Sequence, residues 1–265
     1  MSRSQTTLVA LVGGKGTRLQ SITGGSAKHT LLVDSRPLFA NAFDSLLRDF
    51  AVDQVVFRVA HRPEAFIEAW QADQYALPVP SSIVVGHPAD GPIGALTSCC
   101  RLLDCERILC VAGDVYFQVP SFQELRNFHF AGDQPMTVSI GHGTPTNYPS
   151  TLSVDESGCL THFCRKELTN PDDLINAGLY VVDRNRVGWL IDNVREHQAG
   201  QRQRAEYKED NLWALTLRRP DRARFFTLPG TIVNVNTPED LINAEALATA
   251  RLIPSRGIIS EYKDQ

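Results

Sequence analysis

Short apolar runs alternate with longer amphipathic stretches along most of the chain, and their two periods separate strands from helices. Residues 8–12, 55–60, 83–85 and 108–112 are rich in β-branched and leucine residues and have the length of buried strands. Between them, residues 37–50, 63–70 and 93–103 read as helices. Pro37 is set in a first helical turn, where its missing N–H has no partner to lose. Strands that read as continuous apolar runs are buried on both faces, so the order β-α-β-α-β-α-β predicts a parallel sheet covered by helices. Further on, 137–140, 152–154 and 179–182 read as strands, with Asp155-Glu156-Ser157-Gly158 a turn between two of them, which predicts an antiparallel addition. Helices are predicted over 187–197, 209–217 and 238–251. The last is opened by Thr237-Pro238-Glu239-Asp240, an N-cap, a proline and two acids that complement the helix dipole. The fold class is therefore α/β, a mixed and mainly parallel sheet flanked by helices. No repeat or linker interrupts it, which places one domain over 1–251, with parts 8–135 and 136–251, and a tail over 252–265.

Composition narrows the classes without choosing among them. With 43% hydrophobic and 21% charged residues in 265, the chain can bury a sizeable core. A formal net charge of -4 supplies no broad positive field, which argues against a nucleic-acid partner. No apolar run reaches the length of a membrane span and Met1 to Thr7 lacks the apolar core of a signal peptide, so the expected location is the cytoplasm, away from membranes. Cys99, Cys100, Cys105, Cys110, Cys159 and Cys164 show no C-x2-C spacing and are expected mostly as small buried hydrophobes.

The strongest chemical signal is Val12-Gly13-Gly14-Lys15-Gly16-Thr17-Arg18-Leu19, directly after the first strand. Glycine amides freed of side chains can approach an anion closely. The spacing is not that of a Walker loop, and Leu19 stands where the dinucleotide fingerprint needs glycine or alanine. Lys28 follows ten residues after Arg18, so one segment offers amides and spaced cations suited to a triphosphate. The plain alternative, a glycine turn with solvated charges, is outweighed by the strand-to-loop context. Asp114 ends the apolar run 108–112 and Gly113. A carboxylate at the carboxyl end of a central strand points into the ligand crevice of an α/β sheet and suits Mg2+.

These residues resemble the sugar-1-phosphate nucleotidylyltransferases, whose signature is Gly-Gly-x-Gly-Thr-Arg-Leu with a lysine at this interval. The resemblance extends through Gly91-Pro92-Ile93-Gly94-Ala95-Leu96, the strand ending in Gly113-Asp114, Arg165-Lys166, Asn176-Ala177-Gly178-Leu179-Tyr180, and Val233-Asn234-Val235-Asn236-Thr237-Pro238-Glu239-Asp240-Leu241. It implies a Rossmann-like nucleotide-diphospho-sugar transferase fold, with 8–135 the nucleotide-binding part and 136–251, including the antiparallel addition, the sugar-phosphate-binding part. The implied reaction couples a nucleoside triphosphate, with a lean to a purine such as GTP, to a sugar or cyclitol 1-phosphate, releasing pyrophosphate. Its phosphate nucleophile has a second pKa of about 6, so no general base is needed.

The same resemblance implies roles by position. Arg18, Lys28, Asp114 and Lys166 would be catalytic. Val12, Gly13, Gly14, Lys15, Gly16, Thr17, Gly94 and Ala95 would line the nucleotide, while Lys166, Asn176 and Gly178 would meet the sugar phosphate. Asp114 and Asn234 would hold Mg2+. Two positions depart from the family: Arg165 replaces a glutamate, and Asn234 replaces the second metal-binding aspartate. The closing motif is also carried by molybdenum cofactor guanylyltransferases, which leaves that activity as an alternative. A catalytically silent nucleotide-sugar-binding regulatory subunit is another, and a homo-oligomer is left open. At this length no room is expected for an appended hexapeptide-repeat domain. His61, His87 and His142 are expected at the surface or in supporting roles, Trp70, Trp189 and Trp213 in the core, and the arginines of 218–224 in a solvated loop.

Overall fold

The computed structural model describes residues 5–14, 16–24, 28–72, 77–87, 90–143, 150–164, 173–199 and 206–251. In chain order the elements are β1 (Thr6–Leu11), α1 (Gln20–Thr23), β2 (Leu32–Val33), β3 (Arg36–Pro37), α2 (Phe43–Phe50), β4 (Gln54–Val59), α3 (Pro63–Ala72), β5 (Ser81–Val85), α4 (Gly91–Leu102) and β6 (Arg107–Ala112). Then come β7 (Val115–Gln118), α5 (Gln123–Ala131), β8 (Met136–Gly143), β9 (Thr151–Val154), β10 (Leu160–Cys164), β11 (Leu174–Asp183), α6 (Gly188–Ala199), α7 (Glu209–Arg218), β12 (Arg224–Asn234) and α8 (Pro238–Arg251). A ten-stranded sheet runs in the order β5-β4-β1-β6-β11-β8-β12-β7, with β9 and β10 branching from β11; β2 and β3 form a small hairpin. The strands from β5 to β6 are parallel. Beyond them β11 runs antiparallel to both β6 and β8, β12 runs parallel to β8, and β7 closes the edge antiparallel to β12. The expected fold class and the antiparallel β9–β10 addition are both present.

Alternation along the strands explains the two-layer cover. Leu8, Ala10, Val55, Phe57, Val59, Leu109 and Val111 face one cluster with residues of α2 and α3. Their neighbours Val9, Val56, Ile108 and Cys110 face the other, beneath α4, α6 and α7. Burial on both faces is why these strands read as unbroken apolar runs. On the first face the Phe57 ring meets Phe39 edge to face at 5.5 Å and Trp70 at a tilt at 4.7 Å, a dense aromatic centre that fixes α3 to the sheet. Trp213 is fully buried, and Cys99, Cys100, Cys105 and Cys110 are free and buried in the second cluster, as expected. A third cluster joins Leu19, Val33 and Leu38 to Tyr116, Val233 and Ala244, tying the glycine loop to β7, β12 and α8.

Two expectations need correction. Pro37 does not open a helix: it pairs with Leu32 in the β2–β3 hairpin, a 3-10 turn follows over Leu38–Ala40, and α2 starts at Phe43. The reason lies in Asn41, whose amide donates to the Val115 carbonyl at 2.8 Å while its oxygen accepts from the Phe117 N–H at 3.0 Å, holding this segment to β7. Strand β12 was hidden by Pro229-Gly230, which sit inside its register shift between Thr227 and Thr231 and read as loop punctuation. Among the described residues no helix is long and apolar enough to cross a membrane.

Candidate active site: a cavity over the central strands

The connections through α2 and α3 cover one face of the sheet and α4 covers the other, so the strand order reverses about β1. A crevice opens at such a switch point, outside the carboxyl ends of the strands. Here it is a cavity of about 270 Å³, lined by Gly13 and Gly14 after β1, Arg58 on β4 and Ala60 just after it, Asp114 after β6, Asn176 and Gly178 on β11, and Asn234 ending β12.

Behind the cavity-lining Asp114, Lys28 Nζ donates to Asp114 Oδ2 at 2.6 Å and to Asn236 Oδ1 at 2.9 Å. Asn236 in turn donates to Asn234 Oδ1 at 2.8 Å, so one cation and three side-chain acceptors form a connected chain. Burial pushes the Asp114 carboxyl up, but the Lys28 ammonium bonded to it works the other way, and its pKa lies below the ordinary carboxylate value. Lys28 is 6% exposed, and its partner holds its charge in a buried place. Asn236 is set by α8: its N–H and that of Thr237 donate to Asp240 Oδ2 at 2.9 and 2.8 Å, the capping arrangement that the Thr-Pro-Glu-Asp signal predicts.

His29 lies behind the glycine loop. Burial lowers its pKa to about 4, so the ring is neutral near pH 7. Its Nε2 accepts from the Gly14 N–H at 3.3 Å, which assigns the proton to Nδ1. The imidazole therefore positions the loop and carries no charge there.

On the β11 side, Asn176 donates to Tyr180 Oη at 2.7 Å and accepts from the Gly178 N–H at 3.0 Å. These bonds stabilise the irregularity where β11 shifts register against β8 between Asn176 and Tyr180. Gly178 has φ of 66°, and a Cβ there would stand 2.8 Å from the Ala112 Cβ, so only glycine fits. Glu209, first residue of α7, lines the same end; burial raises its pKa to about 7, and Glu206, Asp114 and Asp210 add to the rise.

Of the anticipated residues, Lys28 is buried behind Asp114, and the others fall into three groups. Gly13, Gly14, Ala95, Asp114, Asn176, Gly178 and Asn234 line the cavity together. Val12 is core, Gly94 lies inside α4, and Gly16, Thr17 and Arg18 belong to the adjoining loop and its 3-10 turn, with Arg18 exposed. Lys15, Arg165 and Lys166 lie outside the described residues. Sequence reasoning missed His29, Arg58, Asp90, Glu209 and Asn236. Arg58 alone carried a clear signal, a cation inside Val55-Val56-Phe57-Arg58-Val59. Among the described residues no group of three or more His, Cys, Asp or Glu forms a metal cluster. Asp114 and Asn234 still present a carboxylate and an amide oxygen to one cavity, hard donors that fit a Mg2+ completed by substrate phosphates.

The family described as Nucleotidyl transferase matches residues 8–217. A mannose-1-phosphate guanylyltransferase of Mycobacterium tuberculosis is 28% identical over 186 residues, 70% of this chain and 51% of that protein. The chain thus spans about half the length of the curated relatives it matches. Among solved structures, the inositol-1-phosphate CTP transferase of T. maritima superposes with a TM-score of 0.68 at 15% identity, covering 94% of this chain and 97% of the other. HddC from Yersinia pseudotuberculosis, complexed with GMP-PN, gives 0.65 at 16% identity over 91% and 98%. Both share the fold.

Proposed function

Because the chain belongs to the nucleotidyl transferase family, we propose that it transfers a nucleotidyl group from a nucleoside triphosphate to a sugar 1-phosphate. An oxygen of the sugar phosphate attacks the α-phosphorus, the bond from that phosphorus to the bridging oxygen of the β-phosphate breaks, and pyrophosphate leaves with the electron pair. GTP and a hexose 1-phosphate such as mannose 1-phosphate are the proposed pair, supported by the guanylyltransferase relatives. The observation that carries the reading is the hydrogen-bonded set Lys28, Asp114, Asn236 and Asn234, of which Asp114 and Asn234 line a cavity walled by the glycine loop and the β11 bulge.

The chemistry asks for positioning and for drainage of charge. The Gly13 and Gly14 segment, Arg18 and Lys15 would receive the β- and γ-phosphates. Lys28, already held at the centre of the site, would meet the α-phosphate, and Lys166 would steer the sugar phosphate. Mg2+, held by Asp114 and Asn234, would supply electrostatic stabilisation of the transferring phosphoryl group. Asn176, spent on its own bulge, shapes the sugar end, where Glu209 offers a carboxyl that is partly protonated near neutral pH.

Pyrophosphate release from the intact chain, screened over five triphosphates against sugar and cyclitol 1-phosphates and molybdopterin, tests this reading. Release that requires both a triphosphate and a sugar phosphate is expected. Release only with molybdopterin would move the assignment to that alternative, and nucleotide-sugar binding without any release would make the chain a regulatory subunit.

A further inference from the structure

The chain leaves β12 as Val233-Asn234-Val235-Asn236, and alternation turns the valines to one side and the asparagines to the other. Val233 and Val235 are fully buried in the third cluster. Asn234 lines the cavity, and Asn236, which does not, reaches Lys28. The Val235 N–H donates to the Asp114 carbonyl at 2.8 Å, so the backbone between the two asparagines is tied to that of Asp114. Thr237 and Asp240 form a reciprocal capping box at the start of α8: the Asp240 N–H donates to Thr237 Oγ1 at 3.2 Å and the Thr237 N–H to Asp240 Oδ2 at 2.8 Å. The same carboxylate oxygen takes one bond more, from the Asn236 N–H at 2.9 Å. Asp240 is 1% exposed, and a buried carboxylate is a costly group to keep. What it adds beyond the cap is a grip on Asn236.

We propose that Asn236 is a positioning residue, setting Asn234 directly and Asp114 through Lys28, and that its place in the chain requires an amide. This rests on the proposed function, whose two cavity-lining oxygen donors it supports. An ammonium only donates, so the branch of Asn236 that meets Lys28 at 2.9 Å is its oxygen. The other branch is then the NH2, again a donor, and the branch of Asn234 that meets it at 2.8 Å is an oxygen. One buried cation therefore orders two amides in turn, and with a further N–H it holds Asp114 Oδ2 at 2.6 Å.

Among side chains of this length only an amide accepts on one branch and donates on the other. Aspartate in the same place would keep the bond to Lys28 and lose the donor to Asn234, and leucine would lose both. Asp114 follows β6 and Asn234 ends β12, so the two side chains share no element. Lys28 and Asn236 join them from behind. Supporting bonds of this kind are typically worth about tenfold to a hundredfold in activity, because they fix the groups that meet the ligand.

The test compares the full chain with Asn236→Asp and Asn236→Leu in two measurements: kcat and KM of pyrophosphate release from GTP and mannose 1-phosphate, and magnetic resonance of the Lys28 ammonium and the Asn234 side-chain amide. In Asn236→Leu kcat is expected to fall about a hundredfold and in Asn236→Asp about tenfold, with the KM for GTP within about threefold of wild type. The protected Lys28 ammonium signal should be lost in Asn236→Leu and kept in Asn236→Asp, while the Asn234 amide signal moves in both. Thermal unfolding shows which variants fold, and Asn236→Asp, nearly equal in size to the native side chain, carries the test where Asn236→Leu does not fold. A kcat within about threefold of wild type in a folded variant, or an Asn234 signal indifferent to both substitutions, overturns the inference. If wild type releases no pyrophosphate with any substrate while both signals follow the side chain at 236, the positioning stands and nucleotidyl transfer falls. Turnover in wild type with signals and kcat indifferent to that side chain gives the reverse.

Discussion

Two short cation–carboxylate pairs stand at different stations of one cavity, Lys28–Asp114 at the end of β6 and Arg58–Asp90 at the β4 end. Both cations are buried, yet the carboxylates differ. The Asp114 side chain is 25% exposed and faces the cavity, whereas Asp90 is 4% exposed at the start of α4. The contrast teaches that similar ion pairs are set apart by how far the carboxylate is open to the cavity. In the first pair the carboxylate is accessible and the lysine is tethered to Asn236; in the second both the carboxylate and the guanidinium are hidden.

Removing each carboxylate should separate the two pairs. Asp90→Ala strands a fully buried guanidinium and is expected to cost about 3–5 kcal/mol of stability, read as a large fall in the thermal midpoint. Asp114→Ala opens onto the cavity, where water can reach Lys28, and should unfold at a temperature closer to wild type. Its nucleotidyl transfer should fall on the order of a hundredfold or more. Equal loss of stability in the two variants would erase the distinction.

Titration sharpens the comparison from two neighbours of Asp114. His29 has a native pKa of about 4 against 6.5 for the free group, so the unfolded chain takes the proton first and stability is lost as pH falls from 6.5 toward 4. Glu209, raised to about 7 from 4.5, works the other way: the unfolded chain releases its proton first, and stability is lost as pH rises through that window. His29→Gln should flatten the acid limb and Glu209→Gln the neutral one, each by up to about 3 kcal/mol, in denaturant unfolding followed against pH. The smallest expected effect is at the bulge. Gly178→Ala should cost about 1–3 kcal/mol, because alanine must adopt positive φ against Ala112, and a neutral substitution there would remove the glycine requirement.

Much of this molecule was legible from residue order, and unevenly so. Strands β1, β4, β5 and β6 were located within a few residues because each buries both faces and so reads as an apolar run. In the second half β12 was hidden by its internal Pro229-Gly230, and β7 by its closeness to Gly113-Asp114. The site shows the same division. Gly13, Gly14, Asp114, Asn176 and Asn234 follow from motifs with fixed spacing, and they meet in one cavity. Asn236 and His29 are partners of partners, joined through Lys28 and Gly14 by contacts between distant segments, and spacing along the chain carries no record of them. Arg58 was different: one arginine within a buried strand conflicts with its surroundings, and the fold answers it with the buried Asp90 carboxylate.

The central claim is that the Lys28–Asp114 centre performs nucleotidyl transfer. Transfer of label from α-phosphate-labelled GTP to mannose 1-phosphate, in wild type and in a folded Asp114→Ala variant, tests it most directly. A labelled GDP-sugar from wild type and a yield lower by about a hundredfold or more from the variant is the predicted result. Equal yields from the two proteins would contradict it.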